Sequence, residues 1–159
     1  MRTPTVRLRP MTHDEFAAYR ESAVRDYADQ VVESGTLPEE GALEKARVDY
    51  ERLLPEGLDT PGHLLWTVLD ADRPVGILWL ETGERSDGRS AYVYDIAVRE
   101  DCRRRGYGRA IMLAAEDACR ERGAVSLRLN VFGHNHAARS LYEQLGFETT
   151  SVQMRKRLA

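Results

Sequence analysis

Residues 99 to 110, "REDCRRRGYGRA", concentrate five arginines and two glycines in twelve positions of a chain whose formal net charge is −3. The turn follows an apolar, β-rich run and opens a helix that begins near Gly108. A helix N-terminus presents unpaired N–H groups and a partial positive charge, and glycines let the backbone wrap around an anion. Arg103, Arg104, Arg105 and Arg109 add side-chain donors. The plainer alternative is a solvated basic turn whose glycines only permit positive φ, and the residues alone leave both open. With a pI of about 5.8 and no long basic stripe, the chain does not fit general nucleic-acid binding, which needs many phosphate contacts. Any anion held here is therefore small.

Other residues could carry proton transfer. Tyr142 lies in an apolar stripe, where packing is the plainer role of its ring. Asp95, inside "YVYDIAV", is a carboxylate in an otherwise apolar strand. Simple alternation puts it on the face opposite Tyr92 and Tyr94, unless a bulge turns it. It then acts as a base, or is a buried structural aspartate with partners, or leaves a water relay to move the proton. His134 and His136 flank Asn135 and read as ordinary polar residues at a helix start. Cys102 and Cys119 have neither metal-like spacing nor an evident base, so no metal site is expected and covalent catalysis through a thiol is disfavoured.

The elements that must position these groups follow from periodicity. "TVRLR" alternates as a first strand. Thr12 and Glu15 form a capping-box pair for a helix running to about Glu33, and a second helix carries Leu43, Ala46, Tyr50, Leu53 and Leu54 before Pro55. "HLLWTVLD", "PVGILWLE" and "SAYVYDIAV" read as consecutive antiparallel strands, with "TGERSDGR" as the turn between the last two. A third helix buries Ile111, Ala114, Ala115, Ala118 and Cys119. "VSLRLNVF" is another strand, Asn135 an N-cap for a short fourth helix that buries Ala138, Leu141, Tyr142 and Leu145, and "SVQMRKRL" a last strand. The 159 residues suit a single domain, 1–159, of mixed α/β class. The longest apolar runs are only a few residues and the N-terminus lacks an apolar signal core, so a cytoplasmic protein without membrane contact is expected.

The pattern R-x-x-G-x-G at residues 103–108, together with "NHAARSLYEQLGF" at 135–147, resembles the two signature segments of the GNAT superfamily of acyl-CoA-dependent N-acyltransferases. Element order is similar along nearly the whole chain. The resemblance implies a mixed, mostly antiparallel sheet of six or seven strands with four helices, its fourth and fifth strands splayed apart. It implies that the small anion is the pyrophosphate of coenzyme A, cradled by residues Arg103, Arg104, Arg105, Gly106, Tyr107, Gly108 and Arg109. The exposed strand amides of Ile96, Ala97 and Val98 would meet the pantetheine arm and donate to the thioester oxygen. Asn135 matches a position that can contact pantetheine, and Tyr142 matches the tyrosine that protonates the departing thiolate.

The implied activity is transfer of acetyl from acetyl-CoA to a primary amine, expected to be that of a small molecule, by direct attack in a ternary complex. Two rivals are acetylation of a protein N-terminus or lysine, and a non-catalytic module that binds acyl-CoA as a regulator. "YVYDIAV" also resembles a strand of aminoglycoside 3-N-acetyltransferases, too short a likeness to name an acceptor. The acceptor site is expected between the first two helices, "ETGERSDGR" and the C-terminal strands, with Glu33, Glu81, Glu84 and Asp87 available to attract a cation. Many relatives place a glutamate base at positions that correspond here to Tyr92 and Asn130, neither of which is a base at neutral pH. A homodimer is compatible with the pattern.

Overall fold

The computed structural model describes residues 2–159. One five-stranded sheet runs in the order β1-β2-β3-β4-β5, formed by β1 (Arg7–Pro10), β2 (His63–Asp70), β3 (Arg73–Arg85), β4 (Gly88–Val98) and β5 (Ser126–Leu129). The first four strands pair antiparallel and β5 lies parallel to β4. Helices α1 (His13–Glu33) and α2 (Ala42–Leu53) precede β2, α3 (Tyr107–Glu121) connects β4 to β5, and α4 (His136–Gln144) follows β5. A parallel pair cannot be joined by a tight turn, which is why α3 crosses over at this point.

The capping box forms as its residues suggest. Thr12 Oγ1 accepts from the Glu15 amide at 3.1 Å and Glu15 Oε1 accepts from the Thr12 amide at 2.9 Å. The other Glu15 oxygen accepts from Arg9 at 2.7 Å and from Thr67 at 3.0 Å, tying α1 to β1 and β2. Two cores result. Leu78, Leu80, Val93, Ile111, Met112 and Ala115 pack on one side of the sheet, against α3. On the other side, Tyr19, Ala23, Ala46, Tyr50 and Trp79 pack beneath α1 and α2.

Three sequence expectations need correction. "TGERSDGR" is mostly strand: β3 extends to Arg85, β4 starts at Gly88, and only Ser86 and Asp87 turn. Cross-strand ion pairing, Arg89 Nε to Glu84 at 3.0 Å across the Glu84↔Arg89 pair, holds this polar ribbon, which carries no apolar alternation to announce it. The fifth strand is shorter than "VSLRLNVF", ending at Leu129. Finally, "SVQMRKRL" alternates as a strand should but joins no ladder, so the sheet has five strands among the described residues rather than six or seven. A strand pattern needs a neighbouring edge, and the tail runs past α1 instead: Arg155 donates to the Gly35 carbonyl beyond that helix.

Candidate active site

The site centres on an irregularity in β4. Val93 pairs with Leu80 and Asp95 with Trp79, so Tyr94 is an extra residue and the strand bulges there. The extra residue changes the alternation. Asp95 shares the α1/α2 face with Trp79, and its carboxyl accepts from the Tyr19 hydroxyl of α1 at 2.6 Å. Simple alternation would have turned it the other way. Burial pushes the Asp95 carboxyl above the ordinary carboxylate range, while the hydrogen bonds from Tyr19 and the Ile96 backbone pull it back. The Tyr19 phenol is itself held well above its usual range by burial and by the Asp95 charge, so it remains a donor.

The bulge lies where β5 departs. β4–β5 pairing runs from Ser90↔Ser126 to Val93↔Leu129, and β4 then continues to Val98 with β3 as its only neighbour among the described residues. The strands are splayed as expected, leaving Ile96, Ala97 and Val98 beside the opening. Asp95 stands on one side of that opening. Tyr142 stands on the other, packed with Phe147 at 5.7 Å between ring centroids and against the α3 core. Its phenol is pushed up by burial first and by the charge of Asp95 second. The two candidate proton carriers thus share one electrostatic neighbourhood although they sit on different elements.

Below the opening lies the basic turn. A short 3-10 turn, Glu100–Cys102, leads into it, and Arg104 (φ 63°) and Gly106 (φ 85°) both adopt left-handed backbone. Gly106 is the N-cap of α3 and supplies no side-chain acceptor, so the first amides of the helix stay available to a ligand. At Gly108 a Cβ would lie 3.2 Å from Leu141, so the missing side chain is what lets α4 approach the helix start. Arg103, Arg104 and Arg105 are exposed and Arg109 is half-buried. Tyr107 lies in the turn with its side chain directed inward. Its ring is buried and its hydroxyl donates to Asp70 at 2.5 Å, leaving only its backbone facing the turn. Asn135 caps α4 through Oδ1, which accepts from the Ala138 amide at 3.2 Å, and its amide nitrogen remains free to donate.

Sequence reasoning missed an aromatic wall on the Asp95 face. Trp79 stacks on Tyr94 at 4.7 Å, Tyr94 meets Tyr92 at 4.8 Å, and Tyr50 meets Trp79 at 5.5 Å. Tyr27 of α1 then reaches Phe132 at 6.5 Å, and Phe132 stacks on His134 at 5.6 Å. Only the Tyr92/Tyr94 pair was visible as a signal, because the other contacts join distant segments. His63 Nδ1 accepts from Trp79 Nε1 at 2.9 Å. Burial lowers the His63 pKa, partly opposed by Glu81, which favours the neutral ring this bond requires. With its lone pair on Trp79, His63 offers a donor to the site and not a base.

The four acidic candidates separate. Glu81 pairs across strands with both His63 and Tyr92, and binds Arg85 at 3.0 Å. Glu33 meets His134 Nε2 at 3.4 Å. Glu84 is occupied by Arg89, and Asp87 sits at the hairpin tip. His136 is exposed at the start of α4. Cys102 and Cys119 are both buried, and burial raises the Cys119 thiol, so neither is presented as a nucleophile. Among the described residues no group of three or more His, Cys, Asp or Glu side chains is placed to hold a metal ion, and no helix is long and apolar enough to cross a membrane.

Residues 19–147 match the model of the acetyltransferase (GNAT) family. The chain belongs to the GNAT family. It is 40% identical over 156 residues to the uncharacterized N-acetyltransferase YycN of Bacillus subtilis, covering 97% of this chain and 99% of that one. The crystal structure of YycN superposes with a TM-score of 0.94, at 38% identity over 98% of this chain and 99% of that one. A mycothiol acetyltransferase of Rhodococcus erythropolis is 32% identical over 120 residues, 74% of this chain and 40% of its own length. The splayed strands and the glycine turn of this GNAT protein are therefore to be read as parts of an acetyltransferase.

Proposed function

We propose that this GNAT protein transfers acetyl from acetyl-CoA to the primary amine of a small, cationic or aromatic molecule, by direct attack within a ternary complex. The observation that carries the reading is the bulge at Tyr94. It turns Asp95 onto the acceptor face at the point where β4 loses its β5 neighbour.

In the proposed reaction coenzyme A lies with its phosphates at the start of α3, where Gly106, Gly108 and the free helix amides meet them. The arginines Arg103, Arg104, Arg105 and Arg109 add charge, while Asn135 and the β4 edge from Ile96 to Val98 hold the pantetheine arm. An amine arriving on the aromatic face loses its ammonium proton to Asp95. Its nitrogen then attacks the thioester carbon, the carbonyl oxygen gains negative charge, and an N–H of the β4 edge donates to it. Collapse breaks the C–S bond, and Tyr142 passes its hydroxyl proton to the leaving thiolate. The second proton shed by the nitrogen as the amide forms restores the Tyr142 phenol through solvent, while Asp95 releases the first proton to bulk water. The electron pair from nitrogen ends in the amide bond and the pair from the broken bond ends on sulfur.

Burial raises Asp95, which makes it a stronger base than an exposed carboxylate, while Tyr19 keeps it ionised enough to accept. Glu33, beside His134 at the end of the aromatic wall, favours a positively charged acceptor, whereas Glu81 is already paired with Arg85. The likeness to a mycothiol acetyltransferase supports a small-molecule acceptor, and a 41% identity over 63 residues to the ribosomal protein bS18-alanine N-acetyltransferase of Salmonella typhimurium supports a protein N-terminus as the second reading.

Asp95→Asn is the test. If Asp95 is the base, the wild type reaches a plateau in kcat/KM near neutral pH and the variant loses it, falling by about 10²- to 10⁴-fold. If no protein carboxylate acts, the wild-type profile climbs toward the acceptor's own pKa, about 10 for an alkylamine, and Asp95→Asn leaves it unchanged.

A further inference from the structure

Beside β5 lies an open slot of about 630 Å³. One wall is the outer edge of β5 and its flanks, residues 124–131, and the other is the extended segment from Gly146 to Ser151. The floor is made by α3 and α4 through Cys119, Leu145 and Tyr142. Among the described residues β5 pairs only with β4, so the backbone groups on its outer edge have no described strand beside them. An edge of this kind is a template for another strand.

The same chain carries a strand that has no edge. From Val152 to Leu158 it alternates, with Val152, Met154, Lys156 and Leu158 on one side and Gln153, Arg155 and Arg157 on the other. Yet Val152 is 68% exposed, Met154 89% and Leu158 83%, and none of these residues joins a ladder. Seven extended residues span about 23 Å, more than the length of β5. The tail cannot easily return to its own slot, because Ser151 already forms part of the far wall and a hairpin would have to turn there. Residues 147–159, "FETTSVQMRKRLA", contain no Gly, Asn, Asp or Pro, the residues that tight hairpin turns require. The tail instead leads away, anchored by Arg155 at the Gly35 carbonyl.

We propose that residues 152–158 of a second copy of this chain fill the slot as a strand between β5 and residues 147–151, and that the two copies exchange their tails reciprocally. A two-fold arrangement makes both exchanges equivalent and closes the assembly as a dimer. Val152, Met154 and Leu158 of the incoming strand cover the α3/α4 floor, the Lys156 stem lies along it with the ammonium reaching solvent through the open slot, and the strand's backbone satisfies the β5 edge. Because Tyr142 and Asn130 also line the slot, each site is completed by its partner's strand.

Light scattering combined with amide hydrogen exchange tests this on the full chain. The expected result is twice the chain mass, with slow exchange across residues 152–158. In the double variant Gln153→Pro and Met154→Pro, adjacent residues lose the N–H groups aimed at opposite neighbours, so both ladders break. That variant is expected to be monomeric with fast tail exchange and an unchanged near-ultraviolet circular dichroism spectrum. A wild-type monomer overturns the proposal, whether its tail exchanges slowly because it has closed on its own slot or rapidly because it is free. A dimer that survives the double proline substitution overturns it too, since that dimer uses another face.

Discussion

Replacing Tyr19 by Phe isolates one hydrogen bond, the 2.6 Å donation to the Asp95 carboxylate, while keeping the ring that packs beneath α1 and α2. A hydrogen bond to a charged group contributes about 1.5 to 3 kcal/mol. Here it favours the ionised form of Asp95 against the burial that opposes it. Its loss therefore makes the carboxylate harder to form, and the acidic limb of kcat/KM moves to higher pH. At a pH on that limb, the rate constant should fall by the ratio of ionised fractions, about 10- to 100-fold, since 1.36 kcal/mol is a factor of ten. Well above the limb, both proteins hold Asp95 ionised and the profiles should converge. Tyr19 is thus a positioning residue whose effect is a displaced pH profile and not a uniform loss. Stopped or continuous detection of released thiol, across pH at subsaturating acceptor, measures this. A Tyr19→Phe profile parallel to wild type at every pH would refute the reasoning, because it would show that the titrating group is not the carboxylate Tyr19 touches.

Other consequences can be measured independently. Tyr142→Phe should keep acetyl-CoA affinity and lower kcat by about 10²-fold, the low end for general acid catalysis because a thiolate leaves readily; pre-steady-state kinetics that isolate the chemical step check this, and an unchanged step assigns Tyr142 to packing. Gly108→Glu puts a side chain against Leu141 and negative charge at the start of α3, so calorimetric titration should show acetyl-CoA binding weakened tenfold or more. Tyr94→Ala removes the ring stacked on Trp79 and should raise KM for the acceptor with little change in acetyl-CoA affinity. Leu78→Ala, at a fully buried position, should cost about 2 to 5 kcal/mol in urea unfolding without altering the site's chemistry.

What could be read from the residues alone divides along physical lines. The basic turn was visible because glycine and arginine act locally, and the Thr12/Glu15 cap because its partners lie three residues apart. Asp95 was recognised as a candidate, but its direction depends on the Tyr94 bulge, which is fixed by pairing with Trp79 and Leu80 on another strand. The aromatic wall was hidden for a related reason: Tyr27 and Phe132, or His63 and Trp79, meet only after the sheet forms. Glu84 and Arg89 looked like turn residues because their ribbon is held by cross-strand charge and not by an apolar face. The tail "SVQMRKRL" was read correctly as a strand pattern and wrongly as a formed strand, since alternation records a preference for an edge and not which edge is within reach.

The central claim is that amine acetylation is the chemistry of this site, and thiol release from acetyl-CoA is its most direct measurement. It should be run with mass analysis of the acceptor over amines, polyamines and lysine-bearing or free N-terminal peptides. The account expects release of coenzyme A that depends on a small amine and is matched by one acetyl group on that amine. Tight acetyl-CoA binding without turnover on any acceptor, or thioester cleavage that needs no amine, would contradict it.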